Sequence, residues 1–540
     1  MQFQKDNGRN EQERAFVAKL GNDVFTKLAK EFEEYLGLEL SPKYSSLIKQ
    51  EIQLAEQNFF AATDRAYLLA KDSYEHGSYN AARMRFANSK MDAKLNRLSE
   101  KWPQSSGAWI IGGLLFSSQI AGLKNIYGID ADKASVIDVL GSATSLSLGA
   151  QNPYLMGFDR IEDAVGLRDN ISTVYHMSLK QAFFFEEAAK LYPATLNKEL
   201  SIYSESSASN VNSMAMESAL AFIEKREGCS KSRILAIDGT WAGGHGIARE
   251  ATGFGVNNFE LNRSKKSLFV DRCLPSPSKE EGQRFLEILQ EKVEAGDAAG
   301  LILEPDIVGD AGIISVDPDV LKKAVDILGK AQLPIIADCV QQIGRSGNSY
   351  WGENVETVLR DYPWLILTTA KSASNGQPFS YAILPKEIAD SAYPVSHVTT
   401  NQCNGPLLRA VGVSRFMQDS ELQNWLSEKG AKIAEIAQHY DIPLGHAGLR
   451  GKYMNRAVYV GDNEMVKLAQ IALLVEDGIL TGALPQSLRY QPMLLDYSST
   501  NEAVAHIIFR RVNEVMKGNV SQEVQDLYAR LEGEASGLAR

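Results

Sequence analysis

Apolar positions in the first hundred residues recur at helical spacing. In AFVAKLGNDVFTKLAKEFEEYLGL (15–38) and SSLIKQEIQLAEQNFFAATDRAYLLAKDSY (45–74) hydrophobic residues return every three or four positions, which predicts two amphipathic helices. Ser41-Pro42 reads as the start of the second and Gly77 as its stop. A third stretch, 79–100, alternates small, basic and apolar residues. None of this carries a catalytic constellation. It reads as a helical appendage packed on the main body or on another subunit, with a lid or partner-binding module as the functional alternative. The most apolar segment, AWIIGGLLFSSQIAGL (108–123), is too short and too rich in Ser, Gln and Gly to span a bilayer. It is expected to be a buried helix or a segment beside the active site.

From about residue 125 the pattern changes. Short β-rich runs, SRILAIDG, AAGLILEP, LPIIADCV, PWLILTTA and FSYAILP, alternate with helical runs such as 212–227, 278–295 and 319–331. Apolar runs separated by helices predict parallel strands covered on both faces, hence an α/β fold. In such sheets the chemistry sits beyond the carboxyl ends of the strands. After about 415 a second α/β pattern predicts a smaller C-terminal domain. No internal repeat or low-complexity tract is present.

Composition narrows this little. The 540 residues carry a net charge of −11 and are 44% hydrophobic, as expected of a soluble globular chain with a large core. At roughly 150 residues per domain the length suggests two to four domains. The acidic balance argues against nucleic acid and anionic membrane surfaces as partners. Cys229, Cys273, Cys339 and Cys403 are far apart, with neither a disulfide framework nor zinc-ligand spacing. They read as reduced cytosolic thiols. The polar start MQFQKDNGRNEQER does not read as a signal peptide, and a cytoplasmic location is expected. Seven histidines are scattered without H-x-x-x-H or H-E-x-x-H spacing, so no metal site is expected. His245 and His397 are the two candidates to line a site.

Two strands end in reactive groups. LPIIADCV places Asp338 just after one apolar run, and PWLILTTAK places Lys371 just after another. Each alone is more often a loop cap or a solvated amine. Together, in adjacent βα units, they suit pyridoxal 5′-phosphate (PLP). The amine forms an imine with the cofactor's aldehyde, and the carboxylate faces the protonated pyridine nitrogen, which makes the ring an electron sink. A phosphate needs a home as well. Ser206-Ser207-Ala208-Ser209-Asn210 precedes the helical run NSMAMESALAFIEK, and a helix start of small hydroxyl residues favours an anion. An unliganded N-cap would look the same. No nucleoside triphosphate or dinucleotide motif is present.

The order of these blocks resembles the class III aminotransferases, the ornithine and acetylornithine type, over roughly residues 125–520. LILEPDIVGDAGIISVDPDVLKKAV, LPIIADCVQQIGRSG and LILTTAKSASNGQPFSYAIL look like the family's EP-x-x-GE-x-G, D-E-x-Q and Lys blocks in the same order. The resemblance implies a fold-type I PLP-dependent transferase. It would have a large domain with a mostly parallel seven-stranded sheet, a smaller α/β C-terminal domain and an extra N-terminal helical region. The matching boundaries are a helical appendage over 1–104, an N-terminal part of the small domain over 105–150, the large PLP-binding domain over 151–415 and the small domain over 416–540.

The resemblance also implies roles. Lys371 would form the internal aldimine and shuttle the proton, and Asp338 would pair with the pyridine nitrogen. Gln341 would lie near the phenolic oxygen, Ala208 and Ser209 would hold the phosphate, and Trp241, in DGTWAGGHGIAREATG, would stack on the ring. Thr400, in HVTTNQCNGP, would reach the phosphate in the neighbouring subunit of a homodimer whose active sites lie at the interface. Arg489, in LPQSLRYQPML, would bind a substrate carboxylate, with Asp310 in place of the Glu that pairs with this Arg and moves aside when glutamate binds. Departures from the family pattern fall at Cys339, Ala242, the Gly309-Asp310-Ala311-Gly312 block and Ala208-Ser209-Asn210-Val211. The expected function is transfer of an amino group between an amino acid or amine and a carbonyl acceptor, with glutamate or 2-oxoglutarate as one partner. The alternatives are an aminomutase, racemase or decarboxylase on the same scaffold, and a non-catalytic PLP-fold protein whose helical N-terminus binds a partner.

Overall fold

The computed structural model describes residues 6–76, 117–120, 123–126, 134–167, 178–193, 199–228, 232–253, 267–347, 349–392 and 405–529. The two N-terminal helices form as their apolar spacing predicts: α1 (Asp6–Leu36) and α2 (Pro42–His76). The buried stripe of α1, Val17, Leu20, Phe25, Leu28 and Phe32, returns every three to five residues. It packs on the main body. Phe25 meets Phe158 at 5.3 Å and Phe32 meets Phe183 at 5.2 Å between ring centroids. Each such buried ring contributes about 1.5–3 kcal/mol over leaving it in water. At Gly21 a Cβ would collide with the Tyr154 ring, so only glycine allows this approach. Polar contacts tie the same helices to the C-terminal helix Ser498–Met516. The Ser498 N–H donates to Glu13 at 2.8 Å, Ser499 donates to Asn10 at 2.7 Å, and Tyr497 donates to Asp64 at 2.8 Å. The N-terminal pair thus straps the body to its C-terminal end. Gly77 and the stretch 79–100 lie outside the described residues.

The central sheet has seven strands: β4 (Leu200–Glu205), β5 (Arg233–Ile237), β6 (Val270–Leu274), β7 (Ala298–Leu303), β10 (Ile335–Asp338), β11 (Leu365–Thr369) and β12 (Ser380–Pro385). Their order is β4-β12-β11-β10-β7-β5-β6. Strands β7, β10, β11 and β12 are wholly buried, as near-continuous apolar runs covered on both faces should be. Parallel pairing fails at β12, which runs antiparallel to both β11 and β4. The connection 370–379 is shorter than the dozen or so residues a parallel crossover needs. The runs for β4 and β6 were not singled out in the sequence, because IYSE and VDRC mix polar with apolar residues on half-buried strands.

Three smaller sheets surround this one. Strands β1 (Ser117–Ile120), β2 (Leu123–Ile126) and β3 (Ala134–Asp138) join β15 (Ile479–Leu480), so chain before and after the central sheet shares one sheet. The apolar segment 108–123 therefore ends in a strand and not a helix in its described part, pinned by antiparallel pairing of β1 with β2. The ribbon of β8 (Ile307–Val308) and β9 (Ile314–Ser315) carries a loop at 309–313. Strands β13 (Leu449–Lys452), β14 (Asn455–Tyr459), β16 (Ala483–Leu484) and β17 (Ser487–Tyr490) form an antiparallel sheet. No helix among the described residues is long and apolar enough to cross a membrane.

Candidate functional site

The parallel strands end at one edge. Strand β10 ends in Asp338, which lies in register with Thr368 on β11, and Lys371 follows β11 after one residue, Ala370. Strand β4 leads at the same edge into the helix Ala208–Glu227, whose N-cap Ser207 has its carbonyl held by the Ser380 hydroxyl at 2.8 Å. Side chains far apart in sequence thus converge because every parallel strand presents its carboxyl end there.

Lys371 opens a single 3-10 turn, Lys371–Ser374, with a φ of +49°. For a residue bearing a side chain that region costs of order 1–3 kcal/mol and persists only where neighbours enforce it. The enforcement is visible. Ser372 bonds Ser147 at 2.6 Å, and Asn375 accepts from the Leu148 N–H at 2.9 Å while donating to the Gly149 carbonyl at 2.9 Å. No hydrogen bond or ion pair engages the Lys371 amine among the described residues. Burial pushes the amine below its ordinary value and Arg489 adds to this, against the opposing pull of Asp310, Glu304 and Asp338.

Asp338 is buried and held by neutral donors. Asn212 donates to one carboxylate oxygen at 2.7 Å and the Val340 N–H to the other at 3.0 Å. Burial raises its pKa to about 6, opposed by these two hydrogen bonds and by Lys371. Asn212, itself fully buried, also donates to the Ala242 carbonyl at 2.7 Å and accepts from Thr368 at 2.6 Å. One amide therefore joins the helix, β10, β11 and the loop after β5. Sequence reasoning missed it. The signal is its place three residues beyond Ser209, one turn along the helix on the same face.

Ala208 and Ser209 occupy the first turn of that helix, where backbone N–H groups have no intrahelical acceptor. The loop after β5 folds over this turn. The Gly244 N–H donates to the Ser209 hydroxyl at 2.9 Å, and His245 shares a hydrogen bond with Asn210 at 2.6 Å. A Cβ at Gly243 would sit 2.9 Å from that hydroxyl, so the approach requires glycine. Trp241 lies on this loop and is 41% exposed, one residue from the carbonyl that Asn212 holds. Thr400 and His397 lie outside the described residues.

Facing Lys371, three expected residues close a ring of contacts. Arg489 on β17 pairs with Asp310 on the β8–β9 loop. Arg489 also donates to Gln341 at 3.0 Å, and Gln341 donates to Asp310 at 3.3 Å. All three are buried. The Gln341 amide is thus engaged on the Arg489 side at both ends. Glu304, at the end of β7, is a second residue the sequence did not single out. It accepts from the Gly309 N–H at 2.9 Å. Burial, then Asp338 and Asp310, hold its carboxyl well above the usual range. Among the described residues no group of His, Cys, Asp and Glu is arranged to hold a metal.

A free, depressed amine, a buried carboxylate one strand away and a helix start with unused N–H groups fit a flat, aldehyde-bearing, phosphorylated pyridine. Against known proteins, residues 117–508 match the family model described as aminotransferase class-III. The chain is 25% identical over 287 residues to the acetylornithine aminotransferase of Shewanella oneidensis, covering 52% of this chain and 64% of that protein. It is 28% identical over 293 residues to the mitochondrial alanine–glyoxylate aminotransferase 2 homolog 2 of Arabidopsis thaliana, covering 52% and 57%. The match thus spans less than two thirds of either relative. The crystal structure of the ornithine aminotransferase from Toxoplasma gondii superposes with a TM-score of 0.62 at 17% identity, over 79% of this chain and 100% of that one. At that identity the likeness is one of fold.

Proposed function

Because the chain belongs to the class-III aminotransferase family, we propose that it holds PLP at Lys371 and moves an amino group between an amino acid or amine and a carbonyl acceptor. The observation that carries this reading is the unpaired Lys371 amine beside the buried Asp338, with the Arg489–Asp310 pair across the cleft. When bound, PLP supplies an aldehyde that captures amines and a ring that draws electrons from the substrate's Cα. Ala208 and Ser209 would hold its phosphate, Trp241 would cover one ring face, and Asp338 would accept the pyridine N–H. With the cofactor bound, the Lys371 Nζ would be the base that takes the proton from the substrate's Cα. Its depressed pKa keeps that nitrogen free to do so. Arg489 receives a carboxylate through its planar fork once Asp310 swings away.

A guanidinium that a carboxylate covers and releases suits an enzyme that alternates between two substrates, only one of which carries a carboxylate there. That favours amino transfer over a single-substrate mutase, racemase or decarboxylase. It also favours glutamate or 2-oxoglutarate as one partner. The proposed assembly is a cytoplasmic homodimer, with Thr400 serving the neighbouring subunit's phosphate.

The test is direct. Borohydride reduction of the PLP-loaded protein should fix the cofactor on the peptide containing Lys371. Adding glutamate without an acceptor should bleach the long-wavelength cofactor absorption, and 2-oxoglutarate should restore it. A protein that traps PLP elsewhere, or whose spectrum no amino acid changes, is not an aminotransferase of this design.

A further inference from the structure

The small antiparallel sheet carries a second arginine on the face that bears Arg489. Arg450 on β13 pairs with Ala457 on β14, and Ala457 pairs with Arg489 on β17. Residues directly opposite one another across a sheet point to the same side. The two guanidiniums fare differently. Arg489 finds Asp310. Arg450 is 3% exposed, stacks over the neutral Tyr459 ring at 5.1 Å, and makes no ion pair among the described residues. Its Nε donates to the His446 carbonyl at 2.7 Å, and its Nη2 is buried with no hydrogen-bond partner. A buried guanidinium without a carboxylate is costly, and such groups are normally paired.

Arg450 lines a cavity of about 250 Å³ together with Lys279, His446 and Lys452. The carboxylates at its edge do not serve the arginine. Asp317 caps the helix Pro318–Lys330, accepting from the N–H groups of Asp319 at 3.0 Å and Val320 at 3.1 Å, and Glu280 is exposed. Lys452 pairs with Glu353 at 3.1 Å. Arg450, Lys279 and His446 remain around a space whose own carboxylates, Glu280 and Asp317, are not paired with Arg450 among the described residues. The cavity includes neither Lys371 nor Arg489.

We propose that this cavity binds a small oxyanion, a carboxylate or phosphate group received by Arg450, as a site separate from the Lys371 cleft. The planar fork suits bidentate capture of either group once the buried Nη2 turns toward the space. The site also has a physical route to the cleft. Gly312, at a φ of +107°, packs so closely that a Cβ there would lie 2.5 Å from the Arg450 Nη1. Gly312 is two residues beyond Asp310 on the same loop, so an anion that draws Arg450 is felt where Asp310 is held.

Calorimetric titration of the PLP-saturated protein with inorganic phosphate and, separately, with succinate tests this. Saturation keeps the helix start at Ser209 filled. One phosphate per chain should bind, with any second succinate going to Arg489, and Arg450→Met should weaken the phosphate at least about tenfold, the loss of one charge-assisted pair. Arg489→Met should change it far less than Arg450→Met does, which separates this site from the cleft. The tighter of the two probes identifies the occupant as a phosphate or a carboxylate. Absence of binding heat, binding untouched by Arg450→Met, or binding lost only with Arg489→Met overturns the proposal. If Arg450→Met does not fold, Lys279→Glu on the exposed rim decides instead. It should weaken the same anion, and an unchanged affinity rejects the site.

Discussion

Asp338 and Asp310 are both buried carboxylates at one cleft, but they are neutralised by different means. Asp338 is held by neutral donors, the Asn212 amide and the Val340 N–H, and keeps its negative charge for something else. Asp310 is held by a full opposite charge, Arg489. Neutral donors steady a carboxylate without cancelling it, so a cation placed beside it later still gains from the charge. An ion pair cancels both partners and must open before either can bind anything. One end of the cleft is therefore built to keep a partner and the other to exchange one. Lys371 lies between them and feels both acids.

The sharpest way to break this contrast is at its centre. Lys371→Ala removes the amine, and with it the general base. The half-reaction with glutamate, followed by absorbance, should slow by at least about 10³-fold. An exogenous amine should restore part of the rate. At the retaining end, Asp338→Asn keeps the shape and removes the charge. The same half-reaction should slow about 10²–10³-fold, as expected when preorganised electrostatic stabilisation is lost. A variant within a few fold of the parent would show that Asp338 is merely structural and that the two ends do not differ as argued.

The exchanging end should respond in binding more than in rate. Arg489→Met removes a charge-assisted pair, so the KM for a carboxylate donor should rise roughly 10- to 100-fold. The fold should also suffer, since Asp310 is left buried and unpaired, a loss on the order of 3–5 kcal/mol in thermal or denaturant unfolding. Adding Asp310→Leu to Arg489→Met should recover most of that stability and none of the affinity. If stability does not recover, the ion pair is not the cause of the loss.

This contrast was half legible in the amino-acid sequence. Asp338 and Lys371 could be read because each follows an apolar run, and a buried strand has nowhere to put a charged group except beyond its end. Arg489 and Asp310 were found only as matches to known blocks, since nothing local predicts that β17 and the β8–β9 loop meet. Asn212 could be placed one turn beyond Ser209 but not given a role. Its role depends on β10, β11 and the loop after β5 converging, which is a property of the sheet order and not of any segment. Glu304 was hidden for the same reason, as the residue just after a third strand. The N-terminal helices show the reverse. Their spacing announced two helices, but Gly21 against Tyr154 and Glu13 on the Ser498 N–H specify where they dock, and neither is written in the period. Antiparallel β12 escaped because an apolar run reads alike in either direction.

The smallest effect is the most discriminating, because it touches Asp338 without altering it. Asn212→Leu keeps the branched outline, with somewhat more bulk, and removes one amide. Three groups lose their partner: a carboxylate oxygen of Asp338, the Ala242 carbonyl and the Thr368 hydroxyl. Each orphaned buried group costs about 1–3 kcal/mol, relieved where water enters. The informative readout is pH. In the cofactor-free protein Asp338 takes up its proton as pH falls through about 6, because burial outweighs the hydrogen bonds that favour its ionised form. A pyridinium needs that form, so PLP affinity should be full above this pH and fall about tenfold per unit below it. The Asn212 hydrogen bond lowers the Asp338 pKa. Removing it must raise the pKa, and the loss of PLP affinity should begin at a higher pH than in the parent. A stability loss with an unmoved pH profile would make Asn212 a packing residue only. The idea that neutral donors hold Asp338 ready for a cation would then fail at the residue that best expresses it.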